Sequence, residues 1–353
     1  MKRRFYVGSN SGEAGAGLRV FELDMARGAI RQIGQVDDAV NPIFLAASAD
    51  GKFLYAAQQV APDPFGWTGG IAVYAVKGAH LEKLAERACA PTVPCHLSLS
   101  HGGRLLVWAE YRQAWTGAFE VGADGMLAES GVRIQHTGRG PNPARQESAH
   151  CHCAVTTPDD GRICVCDLGI DQVVVYDADV SRGTMVRVDG AGFKTAPGAG
   201  PRHLVFHSAA DFAFLVNELD STVVSLRHAG GGALEAVGTY AMLPGGFTGE
   251  SKAAAIKISP DGRWVLASNR GHDSVAAFWV DAETGRLERR AISKLGGVFP
   301  RDFAFSPDGA FIVAGHKLSN EVAVYAFDGA TGEMKQVGNT ISMVKPLCFV
   351  FAT

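Results

Sequence analysis

The chain contains no long apolar run. No window of its 353 residues approaches the length needed to cross a bilayer. The basic opening, MKRRFYVGSN, is followed by no apolar stretch of signal-peptide length. Blocks of one charge are missing too. Lys and Arg number 33 against 36 Asp and Glu, and no basic arm or stripe offers the footprint of a nucleic-acid binder. These absences predict a protein with no nucleic-acid and no membrane partner. Cysteine is sparse and odd in number: seven in a long chain without a secretory signal suit reduced thiols, and so a cytoplasmic protein, better than a disulfide framework. There is no Walker A loop, no dinucleotide fingerprint and no C-x-x-C-H haem attachment. No cofactor is expected. Helical periodicity is absent throughout.

What is present is a repeat. NPIFLAASADGKFLYAAQQ (41–59), PCHLSLSHGGRLLVWAEY (94–111) and AHCHCAVTTPDDGRICVCDLG (149–169) share one pattern with PRHLVFHSAADFAFLVNEL (201–219), AAAIKISPDGRWVLASNRG (253–271) and PRDFAFSPDGAFIVAGHKL (300–318). Each begins with Pro or a small residue, runs through an alternating apolar strand and turns, in most of them at D-G or G-G. Each then runs through a second apolar strand, which predicts an antiparallel hairpin. A third short strand often follows, as in GGIAVYAV (69–76) and NEVAVYAF (320–327), and a fourth closes the unit. Anchors at Pro42, Pro94, Ala149, Pro201, Ala253 and Pro300 recur at the period of propeller blades. An all-β fold is expected, a β-propeller of four-stranded antiparallel blades.

The chain ends set the count. KPLCFVFAT (345–353) reads as a first strand with no second, whereas RRFYVGSN (3–10) and GLRVFEL (17–23) read as a second and third strand with no first. Pairing them covers two exposed strand edges. With Pro346 there are seven anchors, hence seven blades in a single domain over 1–353, closed by N- and C-terminal strands sharing a blade. A length-based prior of two or three domains is set aside. A monomer or weak homo-oligomer is expected.

In each hairpin the start of the first strand and the close of the second lie at one end, and in a propeller the innermost strands line a central channel. The pairs expected at that end are Ile43 with Gln58 and Gln59, Cys95 with Glu110, and His150 and His152 with Asp167. Arg202 with Glu218, residues 253–257 with Arg270, and Arg301 with His316 and Lys317 complete the set. Charged and imidazole side chains at one concave mouth predict a small-molecule site. The surplus of Arg predicts an anionic substrate, because guanidinium binds carboxylate or phosphate bidentately.

Residues 145–155, RQESAHCHCAV, alternate two histidines with two cysteines. On a strand His150 and His152 face one way and Cys151 and Cys153 the other, so four ligands do not close round one metal ion. A second C-x-C at Cys164 and Cys166 predicts thiols packed as small apolar residues. No metal site is expected, and His150 is the imidazole expected to act.

Taken together, RQESAHCH (145–152), GAGPRHLVFH (198–207), NELDSTV (217–223) and SPDGRWVLASNRGHDSV (259–275) resemble the seven-bladed lactonase family. That family contains propeller-type 6-phosphogluconolactonases and a carboxy-cis,cis-muconate cyclising enzyme. The resemblance covers nearly the whole chain and implies His150 (or His152), Arg202, Glu218 and Arg270 as active-site residues. The chain departs from it at Ala255 and Lys257, where the family commonly carries Glu and His, and at Ala149, where it usually has Pro.

The implied activity is hydrolysis of a sugar-derived lactone, 6-phosphogluconolactone first, by a metal-independent enzyme of carbohydrate metabolism. The general base is His150 or Glu218, and a Glu beside Arg stays ionised and weakly basic, which favours His150. Arg202 serves the oxyanion or a carboxylate and Arg270 a distant anion. His152, Arg145 and Arg301 complete the binding of a small anionic lactone or diacid. One alternative is cyclisation of carboxy-cis,cis-muconate. An alternative of another class is a non-catalytic binding scaffold, for which GWTGG (66–70), Trp108 and Trp115 are the only hints of an apolar patch.

Overall fold

The computed structural model of the chain describes residues 1–10 and 17–352. Their strands pair into seven antiparallel sheets of four, one with a short fifth strand attached. Sheet I takes strands from both ends of the chain: Pro346–Phe351, Lys2–Ser9, Leu18–Asp24 and Ala29–Val36. Phe5 lies opposite Phe351 and Tyr6 opposite Val350, so the two ends share a sheet as expected.

Sheets II to VII each use four consecutive strands. Sheet II is Val40–Ala47, Phe53–Gln59, Gly69–Lys77 and His80–Ala90. Sheet III is His96–Leu99, Leu105–Glu110, Trp115–Glu120 and Val132–Gln135. Sheet IV is Cys151–Thr156, Ile163–Asp167, Gln172–Asp179 and Thr184–Arg187, with Phe193–Lys194 as its extra strand. Sheet V is Pro201–Phe206, Phe212–Asn217, Thr222–His228 and Leu234–Ala241. Sheet VI is Lys252–Ile258, Trp264–Arg270, Ser274–Val280 and Leu287–Lys294, and sheet VII is Pro300–Phe305, Phe311–His316, Glu321–Phe327 and Met334–Ser342. Among the described residues helix is confined to one 3₁₀ turn, Leu168–Ile170, and no helix is long and apolar enough to cross a membrane.

The chain packs as two compact units. One comprises Met1–Gly34, His203–His228 and Glu235–Ala352, and carries sheets I, V, VI and VII. The other, Gln35–Arg202 with Ala229–Leu234, carries sheets II to IV and the leading end of sheet V's first strand. In each unit the cores lie between successive sheets. In the four-sheet unit Phe214, Ile256 and Phe278 join sheets V and VI, while Trp264 meets Trp279 and Phe327 edge-on at 5.3 and 5.6 Å between sheets VI and VII. In the three-sheet unit Tyr55, Trp108 and Phe119 fill the space between sheets II and III, and Val107, Cys151 and Val165 that between III and IV. Second strands such as Trp264–Arg270 are buried along their whole length, polar closing residues included. Fourth strands such as Leu287–Lys294 are polar and largely exposed.

The S-x-D-G turns build one device three times. Ser259, like Ser48 and Ser306, hands its hydroxyl to the Asp two residues on and accepts the amide of the residue that opens the next strand. The Gly after the Asp takes the left-handed conformation, φ +75° at Gly262. At 157–162 the same conformation falls on Asp160, φ +57°.

The tryptophans divide. Trp108 is core, whereas Trp67 meets Trp115 in a tilted contact at 5.2 Å with the Arg133 guanidinium 4.2 Å above it, and Phe65 beside them is exposed at 71%.

Candidate active site

Paired first and second strands meet as the repeat predicted, with one irregularity that alternation could not show. In sheet IV the register runs Cys151 opposite Asp167, then Cys153 opposite Cys166, which makes His152 the bulge residue. In sheet VII it runs Pro300 opposite His316, then Asp302 opposite Gly315, leaving Arg301. Sheet I has the same shift at Leu347, and sheets II and VI shift between Val40 and Phe44 and between Ala253 and Ile256. A bulge bends the strand and re-aims the side chain it frees.

In the three-sheet unit the imidazoles gather on Tyr111. The His150 ring stacks on the Tyr111 ring at 4.4 Å and 5°, and His152 meets it edge-on at 5.3 Å. His150 Nδ1 lies 2.9 Å from the Tyr111 carbonyl oxygen. A carbonyl only accepts, so Nδ1 carries the proton and the lone pair of the neutral ring sits on Nε2. Nε2 lies 3.3 Å from the carboxylate of Glu147, a side chain 58% exposed. Arg145 donates to the Tyr111 hydroxyl at 3.3 Å. The sequence-based residues His150, His152 and Arg145 are thus brought together, and the residue that joins them, Tyr111, went unnoticed because it acts partly through its backbone.

Beneath this cluster runs a buried relay. Asp167 accepts the His150 amide at 2.7 Å, the Gly169 amide at 2.9 Å and His136 Nδ1 at 2.7 Å, and His136 Nε2 takes the Tyr176 hydroxyl at 2.7 Å. Burial pushes the Tyr176 hydroxyl pKa up, so it remains a donor. Asp167 therefore shapes the turn at His150. His136, Cys151 and Asp167 also offer ligand atoms within 4.8 Å of one another. Both His136 nitrogens are taken, and burial raises the Cys151 thiol well above its ordinary range, so the set reads as a relay that fixes backbone. Glu110 is structural in the same way, accepting Thr92, Arg112 and Gln113. Cys151, Cys153, Cys164 and Cys166 are all buried thiols, as their packing role required. Cys95, half-buried, lies 3.8 Å from His152 Nδ1.

Arg202 is 2% exposed on the first strand of sheet V. The loop leading to it is tied down by Asp171, which accepts the amides of Gly198 and Gly200 at 2.7 and 2.9 Å and the side-chain amide of Gln146 at 2.8 Å. The RQ and GPR segments therefore share one carboxylate.

In the four-sheet unit Glu218 and Arg270 form an ion pair of 2.8 Å with both side chains about 95% buried. Arg270 also donates from Nε to the Lys252 carbonyl at 3.1 Å and from Nη2 to the Ala253 carbonyl at 2.7 Å. Its guanidinium stands over the Phe299 ring at 5.2 Å, and Lys317 Nζ lies 5.7 Å from the same ring. Phe299 adopts φ +67°, a conformation that costs a bulky residue roughly 1–3 kcal/mol and gathers at ligand clamps. It is held there by its amide, which donates to Asp273 at 2.9 Å, and by its carbonyl, which accepts the Lys317 amide at 3.1 Å. Lys257 turns away to pair with Asp302 at 3.1 Å, and Asp302 also accepts the Phe349 amide at 2.9 Å. The first strands of sheets VI, VII and I are thereby linked, which gives Lys257 a structural role.

A further groove lies elsewhere. It encloses about 1060 Å³ at the hairpin turns of the three-sheet unit and is lined by Asp50, Glu120, Asp160, Asp177 and Asp179 against Arg104. That lining repels an anion.

A family model described as lactonase, 7-bladed beta-propeller, matches residues 4–351. The chain belongs to this family, and its seven sheets are the seven blades. It is 31% identical to the 6-phosphogluconolactonase of Bacillus subtilis over 98% of this chain and 97% of that one. It is 27% identical to a 6-phosphogluconolactonase of Formosa agariphila over 85% of each. Among solved structures it matches a periplasmic gluconolactonase of Pseudomonas aeruginosa with a TM-score of 0.90 and 29% identity, over 100% of this chain and 99% of the other.

Proposed function

We propose that the chain is a hydrolase opening a sugar-derived lactone, with 6-phosphogluconolactone as its substrate. The observation that carries the mechanism is the bond from His150 Nδ1 to the Tyr111 carbonyl, which leaves Nε2 as a fixed proton acceptor. Water attacks the lactone carbonyl as Nε2 takes its proton, and the carbonyl becomes an oxyanion. Collapse breaks the acyl–oxygen bond of the ring, the leaving oxygen takes the proton from Nε2, and the aldonic acid formed gives its carboxyl proton to solvent and leaves as the aldonate. Glu147, 3.3 Å from Nε2, sets a negative charge beside the imidazolium formed midway and stabilises it. Glu218 is committed to Arg270, so the base role falls to His150.

Arg202 is assigned to the oxyanion, Arg270 to a substrate anion, and His152, Arg145 and Arg301 to binding. The relatives' names support the lactone class. Seven cysteines, all thiols, support a reducing, cytoplasmic setting.

The test is hydrolysis of freshly prepared 6-phosphogluconolactone against the spontaneous background, by wild type, His150→Ala and Arg202→Ala. A wild-type rate well above background, lost in both variants, is expected. Background rates in all three overturn the assignment, and carboxymuconate cyclisation is then assayed.

A further inference from the structure

The four-sheet unit holds a concentration of positive charge that the acid–base step does not use. Lys317 directly follows the second strand of sheet VII, Arg301 is the bulge residue of its first strand, and Arg270 closes the second strand of sheet VI. Lys345 directly precedes Pro346, where sheet I begins. Among the described residues no carboxylate pairs with Lys317, whose ammonium is positioned only by the Phe299 ring at 5.7 Å. Burial first, then repulsion from Arg301, Arg270 and Lys345, pushes the Lys317 pKa down. The carboxylates facing this region are otherwise engaged: Glu218 with Arg270, and Asp273 with the amides of Phe299 and Gly271. Nη1 of Arg270 donates to no described residue, since its protein partners use Nε and Nη2.

We infer that Lys317, Arg301 and Arg270, disposed about Phe299 with Lys345 adding charge, form a subsite for a phosphoryl group. The inference rests on the lactonase reading and names the anion its substrate carries. A carboxylate is planar and one guanidinium fork satisfies it. A phosphoryl group presents three acceptor oxygens and a charge near −2, which suits donors arriving from separate strands. The left-handed Phe299 serves as the post against which Arg270 and Lys317 are held.

Two measurements test this. The first is direct binding of inorganic phosphate to the folded protein by calorimetry, for wild type, Lys317→Ala and Lys317→Arg, with intact folding checked by circular dichroism. Wild type binds, Lys317→Ala binds at least about tenfold more weakly, and the Arg variant recovers much of the loss. The second is the ratio of kcat/KM for 6-phosphogluconolactone to that for gluconolactone, which falls about tenfold or more in Lys317→Ala. A folded Lys317→Ala protein with unchanged phosphate affinity and ratio overturns the subsite. Failure of the lactonase reading looks different: neither lactone is hydrolysed, while phosphate binding still decides whether the subsite exists.

Discussion

Sheets IV and VII begin their first strands with the same backbone step and put opposite chemistry on it. In sheet IV the bulge residue is His152, beside a second imidazole and a tyrosine ring. In sheet VII it is Arg301, two residues after a phenylalanine flanked by Arg270 and Lys317. Each aromatic organises its neighbours differently. Tyr111 fixes a tautomer through its carbonyl and stacks on the ring that uses it, while Phe299 keeps two cations in place by their attraction to its face. The repeat decides where a functional side chain can stand. The residue at the bulge decides whether that position moves a proton or holds an anion.

The largest effect should come from the imidazole side. Replacing His150 by Ala removes the base and should lower kcat about 10³-fold, read as initial rate above the spontaneous reaction. A loss below tenfold would assign the proton transfer to another group. Next comes the ion pair. Glu218→Ala leaves Arg270 buried without its carboxylate, and urea denaturation should show a loss of about 3 kcal/mol. An unchanged midpoint would mean that the pair is solvated and adds nothing.

A smaller change tests Tyr111. In Tyr111→Leu the carbonyl remains but the stacked ring is lost, worth about 1 kcal/mol, so kcat should fall several-fold. A full loss would make the ring itself catalytic.

The smallest effect concerns His316, which is buried and bonded to the Tyr325 hydroxyl at 2.9 Å. Burial holds its pKa below the ordinary 6.5, against the weaker pull of Glu321 and Asp273. Below that pH the unfolded chain binds a proton that the folded one refuses, so stability falls as pH drops. Between pH 7 and 6 this one group contributes up to about 0.7 kcal/mol, and the contribution should vanish in His316→Gln.

Much of the architecture was legible because propeller blades announce themselves by period. The hairpin turns, the seven anchors and the sheet shared by the chain ends all stand in the structure as the repeat required. The shared location of His150 and His152 was legible as well. Three things were not. The bulges add one residue without changing composition, so alternation along HCHC holds only up to His152. Tyr111 works through a main-chain oxygen, which no residue type reveals. Phe299 owes its importance to a φ of +67°, and an aromatic residue before a proline carries no such signal. Asp167 and Glu110 went the other way: they were expected among the charged groups of the site, but their oxygens are spent on backbone amides, on His136 and on Thr92.

The most direct measurement is steady-state hydrolysis of 6-phosphogluconolactone and gluconolactone side by side, for wild type, His150→Ala and Lys317→Ala. The account predicts that His150→Ala lowers both activities by the same large factor, whereas Lys317→Ala lowers the preference for the phosphorylated substrate. Wild-type rates in His150→Ala, or a changed preference in that variant with none in Lys317→Ala, would contradict it.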